Sequence, residues 1–494
     1  MKKRVLFIIW SYSAGGGAES LLTMIVNHLN PQKYDIGILE YCHVGVKEEP
    51  VNGNITFLGA ITSRSDPERR KKHYYLLNEP DRMVSKYIPS DYDLYVSFNY
   101  QIPSFLLPGG KRCIAWIHSD IYDLGGENGE GYLALQNEAF RKAKRIVSIS
   151  DLTTRSLKEL CPKHADKIRE IYNGVDIDRV RQKAGENTCV VLEHPNILFV
   201  GRLEKRKNPV RLLNVLDILH KMKYPVHLYF LGQGDLSDDI EKISAGKGLS
   251  EYVHLLGYVQ NPFPVIAQCD VNCLLSRTEG FSMALLEGVS LGKPFVSTYV
   301  GGAKILADGE SCGKVAETDE QAAAAVMYWL NQDKKAVEKN CEISINRFGL
   351  TSYISRIETL FDEVLDEAQD GITSYRYGRN IELEEKTYYY RFPVEKVKKG
   401  ERLIIYGAGA VGTDYCTFLQ ESKYCRLAGW VDREYRKWQE KGKKVSQVSA
   451  VSGLQYDMIL IAIADRMTAE TVRTELCKLD VSPDKIIWHM PGFI

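Results

Sequence analysis

Short apolar runs alternate with helix-period segments along most of the chain, which predicts an α/β fold built on parallel sheets. In the first third, Val5–Trp10, Asp35–Tyr41, Leu94–Ser97, Cys113–Ile117 and Arg145–Ser150 read as strands. Residues 173–345 repeat the pattern, with strands at Ile197–Val200, His227–Leu231, Val253–Leu256, Val271–Leu275 and Pro294–Ser297. Two Rossmann-like domains facing one cleft are therefore expected. Helical periodicity resumes over Phe348–Leu365. Residues 371–399 are polar, aromatic and charged, include Tyr388-Tyr389-Tyr390, and read as a linker or docking segment. A third α/β unit then starts with strands at Arg402–Tyr406 and Arg426–Val431.

The candidate chemistry lies in the turns that follow strands, where open α/β sheets bind ligands. After Val271–Leu275 comes Ser276-Arg277-Thr278-Glu279-Gly280-Phe281-Ser282-Met283-Ala284-Leu285-Leu286-Glu287. Ser282 is placed to cap a helix, and the free N–H groups of that helix's first turn suit a phosphate. Glu279 and Glu287 flank this cradle, so a ligand carrying both a diphosphate and sugar hydroxyls fits the pattern. After Ile197–Val200, a basic loop holds Arg202 and Lys207, ahead of a helix expected to start at Pro209. Arg202 offers a planar fork to phosphate oxygens and Lys207 a point charge. After Val5–Trp10, Gly15-Gly16-Gly17 lets the backbone approach a phosphate closely. Asp176 and Asp178 have the spacing of a metal-binding acid pair, but they belong to an Asn-Gly-Val-Asp turn and read as structural.

The third unit carries Gly407-Ala408-Gly409-Ala410-Val411-Gly412, followed about 20 residues later by Asp432, the spacing of a dinucleotide fingerprint. Gly407, Gly409 and Gly412 would form the turn, and Asp432 would accept from a ribose hydroxyl. The unit is short and has no catalytic half. Two readings stand: a site for NAD or another nucleotide, or a degenerate nucleotide fold used in regulation or in assembly, including a homo-oligomer.

Composition narrows the class. The chain has 494 residues, 44% of them hydrophobic and 26% charged, as in a soluble protein of two to four domains. Its 64 basic and 64 acidic residues cancel, so net charge gives no case for a nucleic-acid partner. Eleven scattered cysteines lack metal-type spacing and suit a reducing cytoplasm; Cys269 and Cys273 read as core. The start, Met1-Lys2-Lys3-Arg4, imitates a signal peptide, but its apolar run is short and leads straight into the glycine turn. Arg69, Arg70, Lys71 and Lys72 beside Tyr74 and Tyr75 form a basic run. It reads either as a solvated helix or as a contact with an anionic membrane surface.

Several motifs together resemble glycosyltransferase family four, the retaining sugar transferases of GT-B fold. They are Gly16-Gly17-Ala18-Glu19, Trp116-Ile117-His118-Ser119-Asp120, Ser148-Ile149-Ser150, Asn173-Gly174-Val175-Asp176, Val200-Gly201-Arg202 with Lys207, Glu279 through Glu287, Gly292-Lys293-Pro294 and Val300-Gly301-Gly302. The resemblance implies an acceptor-side domain over 1–170, a donor domain over 171–346 and a crossover helix over 347–370 that packs back on the first domain. A linker (371–399) and an accessory domain (400–494) lie outside it. It further implies a retaining, metal-independent hexosyltransferase that moves sugar from a UDP-sugar to a glycan or lipid-linked acceptor in surface polysaccharide synthesis, in the cytoplasm or peripheral to the membrane. His118 and Glu279 would be catalytic. Gly16, Gly17, Arg202, Lys207, Phe281, Ser282, Met283 and Glu287 would bind the donor, with no metal and no cofactor required. The alternatives are an epimerase-like enzyme on the same scaffold and a scaffold protein that senses nucleotides through its last domain.

Overall fold

The computed structural model describes residues 2–46, 50–125, 130–367, 390, 392–394, 396–463 and 466–489. Contacts divide the chain into two compact units, Met1–Glu382 and Leu383–Ile494.

The first unit holds two parallel sheets. Strands β1 (Lys3–Ile9), β2 (Tyr34–His43), β3 (Ile55–Ser63), β4 (Leu94–Phe98), β5 (Cys113–Ile117), β6 (Arg145–Ser148) and β7 (Ile168–Glu170) lie in the order β3-β2-β1-β4-β5-β6-β7. Strands β8 (Asn196–Val200), β9 (His227–Leu231), β10 (Val253–Gly257), β11 (Val271–Leu274), β12 (Phe295–Ser297) and β13 (Gly313–Val315) lie in the order β10-β9-β8-β11-β12-β13. Helices cover both faces of such sheets, so their central strands are apolar throughout. All five residues of β4 and all five of β5 are buried. The strand order reverses between β1 and β4 and between β8 and β11, which opens a crevice at the carboxyl end of each sheet. The apolar start of the chain is the central strand β1, and Cys269 and Cys273 are core residues.

After β13 the chain returns to the first sheet. Helix Leu350–Asp366 sets Phe361 against Phe7 and Tyr34, with ring centroids 6.2 and 5.8 Å away. Asp362 accepts from Tyr34 Oη and pairs with Lys33, and Glu358 accepts from the Asn30 amide at 2.8 Å. The outward and return connections run side by side, where the Val175 amide donates to the Phe348 carbonyl at 2.9 Å.

The second unit is one parallel sheet of β14 (Arg402–Tyr406), β15 (Arg426–Val431), β16 (Met458–Ile461) and β17 (Ile486–Trp488), in the order β15-β14-β16-β17. Most of the expected linker, including Tyr388 and Tyr389, lies outside the described residues. Tyr390, Phe392 and Val397 are described, and they are buried in this unit's core with Leu403, Ile405, Tyr415 and Leu419.

Candidate active site

The glycine turn after β1 is held from below by Glu40, a fully buried carboxylate on β2. One of its oxygens accepts from the Tyr12 amide at 2.7 Å and from the Ser13 amide and hydroxyl at 3.1 Å; the other lies 2.7 Å from His43 Nδ1. Gly16 caps helix Gly17–His28, and both glycines are solvent-exposed at its start. Burial pushes the Glu19 carboxyl in that helix upward, while its own amide, the Gly16 amide and Arg202 of the other sheet pull it down.

Across the cleft, Lys207 and Glu279 meet. Lys207 Nζ stands 2.6 Å from Glu279 Oε1, which also accepts from Ser276 Oγ at 2.7 Å. Arg206 Nη1 lies 3.7 Å from the second oxygen. Arg202 is different: its side chain is 73% exposed and touches Glu204 at 3.4 Å. The helix after this loop is Arg211–Lys221, starting two residues beyond Pro209. Ser282 caps helix Met283–Ser290, accepting from the Leu285 amide at 3.4 Å. Phe281 sets its ring against Tyr172 and Phe348, at 6.0 and 5.8 Å, so what it gives the turn is a fixed backbone. Met283 Sδ lies 3.9 Å from the Asn173 amide nitrogen. One turn further, Glu287 has no hydrogen-bond donor among the described residues, and burial pushes its carboxyl up to about 7, with Arg179 opposing.

His118, at the end of β5, stacks on Trp116 with rings 6° apart and packs 4.1 Å from the Phe98 ring. Burial pushes it down to about 3, so it is neutral at ordinary pH. Its Nε2 is buried without a hydrogen-bond partner among the described residues. The two halves touch here. A Cβ added to Gly280 would land on the His118 carbonyl oxygen, so only glycine lets this turn come so close. Thr278 Oγ1 donates to Asp120 Oδ2 at 2.6 Å, and Tyr299 Oη to Asp151 Oδ2 at 2.6 Å. Asp176 caps its helix through the Arg179 amide at 3.0 Å, a structural use of that carboxylate.

The cleft thus holds a cation–carboxylate pair, a capped helix and a carboxylate with no hydrogen-bond donor among the described residues. Residues 15–179 match the family described as Glycosyltransferase Family 4, and residues 194–333 match Glycosyl transferases group 1. The chain belongs to glycosyltransferase family four. Its GT-B architecture is shared with the crystal structure of Anabaena Alr3699/HepE in complex with UDP (TM-score 0.57, 18% identity, 74% of this chain and 100% of that one). It is shared equally with WaaG, a glycosyltransferase involved in lipopolysaccharide biosynthesis (TM-score 0.56, 17% identity, 72% and 99%). Among curated relatives, a Campylobacter jejuni N-acetylgalactosamine-N,N'-diacetylbacillosaminyl-diphospho-undecaprenol 4-alpha-N-acetylgalactosaminyltransferase is 33% identical over 156 residues, 31% of this chain and 41% of the relative. An Escherichia coli UDP-Gal:alpha-D-GlcNAc-diphosphoundecaprenol alpha-1,3-galactosyltransferase is 27% identical over 226 residues, 42% and 58%. The family-four chain thus spans about half the length of these relatives. Residues 399–487, in the accessory unit, match a family described as C2185-like, N-terminal.

Outside the cleft, one expectation is corrected and one residue gains a structural role. Lys72 turns inward from helix Arg69–Asn78, donating to the Ile61 carbonyl at 2.8 Å and to Asp66 at 2.7 Å, so it is not part of an exposed basic face. Asp432 already has partners within its own unit. Its two oxygens accept from the Ala408 and Glu434 amides, each at 2.7 Å. Lys443 Nζ occupies the front of the same turn, 2.8 Å from the Ala408 carbonyl and 2.7 Å from Thr413 Oγ1. Gly412 does serve close packing, since a Cβ there would strike the Gly407 carbonyl. Gly409 caps helix Ala410–Ser422. Asp432 thus braces the turn through one bond to each oxygen, which leaves further lone pairs on both. Asp432→Ala is expected to destabilise the accessory unit by about 1–3 kcal/mol, because two amides lose a charged acceptor. Denaturant melts check this; an unchanged midpoint would refute the bracing role.

Proposed function

We propose that this chain transfers a sugar, with retention, from a UDP-sugar to a hydroxyl of a lipid-linked glycan in surface polysaccharide assembly. The observation that carries the reading is Glu287: a desolvated carboxylate without a donor among the described residues, set beside the first turn of a capped helix. Ribose hydroxyls are the donors it lacks, and the amides ahead of it suit the diphosphate. Lys207 and Arg202 meet the charge that grows on the leaving diphosphate, and stabilising charge that develops in the transition state raises turnover. When the diphosphate takes Lys207, Glu279 is left facing the sugar, where it holds hydroxyls or balances positive charge at the anomeric carbon. Neutral His118 offers Nε2 to the donor sugar without becoming charged. The leaving phosphate takes the acceptor proton, and none of these steps assigns work to a metal ion. HepE, which shares the fold, was crystallised with UDP, and the two curated relatives are named for diphospho-undecaprenol acceptors; both support this choice of donor and acceptor class.

The test is release of UDP from a panel of UDP-sugars, with and without undecaprenyl-diphosphate glycans. Release that rises only with acceptor, giving an α-linked product from an α-donor, is the expected result. Donor consumption with no transfer product would favour an epimerase-like or hydrolytic enzyme.

We also propose that Arg69, Arg70 and Lys71, without Lys72, meet anionic lipid. No described helix is long and apolar enough to cross a membrane. Charge reversal at these three positions should lower sedimentation with phosphatidylglycerol vesicles at low salt, at about 1 kcal/mol per charge. Undiminished binding would end the proposal.

A further inference from the structure

The six-stranded sheet carries a second constellation at its β10 edge, made by strand register. His227 opens β9, and His254 on β10 is in register with Tyr229. Side chains alternate along a strand, so His227, two residues before Tyr229, shares a face with His254. The two imidazoles meet there, His227 Nδ1 lying 3.1 Å from His254 Nε2. Glu193, in the loop that leads into β8, reaches the same place: its Oε2 is 3.7 Å from His227 Nε2. Its backbone is fixed, because its amide donates to Tyr229 Oη at 3.0 Å. The Tyr229 ring in turn stacks on His254 at 4.4 Å and 16°, which sets the orientation of that imidazole. One ligand atom from each of Glu193, His227 and His254 lies within 4.8 Å of the other two, and among the described residues this is the one group of three His, Cys, Asp or Glu so placed.

Bonds of about 2.0–2.1 Å from zinc to imidazole nitrogen give a tetrahedron with edges of about 3.3 Å. The observed nitrogen–nitrogen separation is close to that edge. The carboxylate now faces His227 Nε2, the other nitrogen of the ring that meets His254 through Nδ1, so it must swing to the Nδ1 side; the Glu193 side chain is 70% exposed, and one ligand atom from each residue already lies within 4.8 Å of the others. Two imidazoles and one carboxylate suit zinc, nickel or copper better than magnesium or calcium, which prefer all-oxygen sets. We propose that Glu193, His227 and His254 bind one transition-metal dication of the zinc class, with the fourth position open to water.

The place of the site sets its role. It lies at the amino ends of β9 and β10, whereas the donor cleft lies at the carboxyl ends of β8 and β11. Five residues of β9 at about 3.3 Å each separate the two ends of that strand by roughly 15 Å. The ion would tie the edge strand β10 to β9 and to the loop before β8. That is a stabilising function, separate from sugar transfer, and it stands or falls independently of the proposed reaction.

The experiment uses the full chain, stripped by chelator and titrated with cobalt(II) and then zinc(II). The expected result is one cobalt per chain with the intense visible absorption of tetrahedral coordination, displaced by zinc, together with a thermal midpoint raised by zinc. His254→Ala should weaken binding by more than about 100-fold, since even outer-shell partners are worth 10–100-fold. Glu193→Gln, at an exposed side chain that cannot unfold the sheet, should weaken it by about tenfold. Equal cobalt uptake by the parent and both variants would overturn the assignment. So would no uptake by the parent, or uptake abolished by Cys189→Ser and not by His227→Ala. UDP-sugar turnover measured in parallel is expected to be the same with and without zinc; loss of turnover on stripping would overturn the stabilising role.

Discussion

Lys207→Ala is expected to lower turnover by about 10²–10³-fold, the usual cost of removing one preorganised group that meets developing charge. The fall should lie in kcat more than in KM, because that charge is larger in the transition state than in the bound donor. The same substitution leaves Glu279 with only Ser276 and the more distant Arg206, so a measurable loss of stability is expected beside the kinetic one. Arg202→Ala should slow turnover with little stability change, since its guanidinium is solvated and its contact with Glu204 is a surface pair. Steady-state kinetics and thermal melts on both variants separate these effects. Full turnover in Lys207→Ala would remove the lysine from the site's chemistry.

The second large effect concerns Glu287, where function and stability oppose each other. Its carboxyl titrates near 4.5 in an unfolded chain and at about 7 when buried. Between those values the native protein holds a proton that the unfolded chain has released. Stability therefore falls as pH rises through that window, by up to about 3 kcal/mol. Glu287→Gln removes the titration, so the variant should melt higher than the parent at pH 8 and lose this slope. It should also bind UDP about 10–100-fold more weakly, because hydrogen bonds to an ionised acceptor are lost. Parent affinity for UDP should climb as pH approaches about 7 and then level off, with proton release on binding below that pH. Identical melting slopes in the two proteins would show that Glu287 is not the titrating group.

Much of the fold was legible because strands covered on both faces are uninterrupted apolar runs, as at Cys113–Ile117 and Val271–Leu274. Strand β3 was not legible, since Thr56 and Gly59 interrupt its apolar residues, and its edge position leaves Phe57 and Leu58 exposed, so that its apolar residues do not all face the core. Strands β7 and β13 are three residues each, too short to show a period. The turn residues of the cleft were readable from local order: a small hydroxyl before a helix, glycine after a strand. Partners set by tertiary packing left no such trace. Glu40 stands 27 residues from the amide of Ser13 that it receives. Arg206 lies in a run of like charges, so spacing alone does not say which cation reaches Glu279. Asp432 has the right spacing for a ribose, yet the amides it satisfies belong to its own domain. His227 and His254 become neighbours only when β9 and β10 pair.

The bonds from Thr278 to Asp120 and from Tyr299 to Asp151 close the cleft before any donor has entered. Each is worth about 1 kcal/mol net, and parting the halves would also break the Arg155–Tyr299 bond and the Gly280–His118 contact. Any parting of the halves that donor entry requires lowers apparent affinity by the cost of breaking these contacts. Capture of the donor then depends on groups at the rim that never touch it, and removing the Thr278 or Tyr299 hydroxyl is the way to see that dependence.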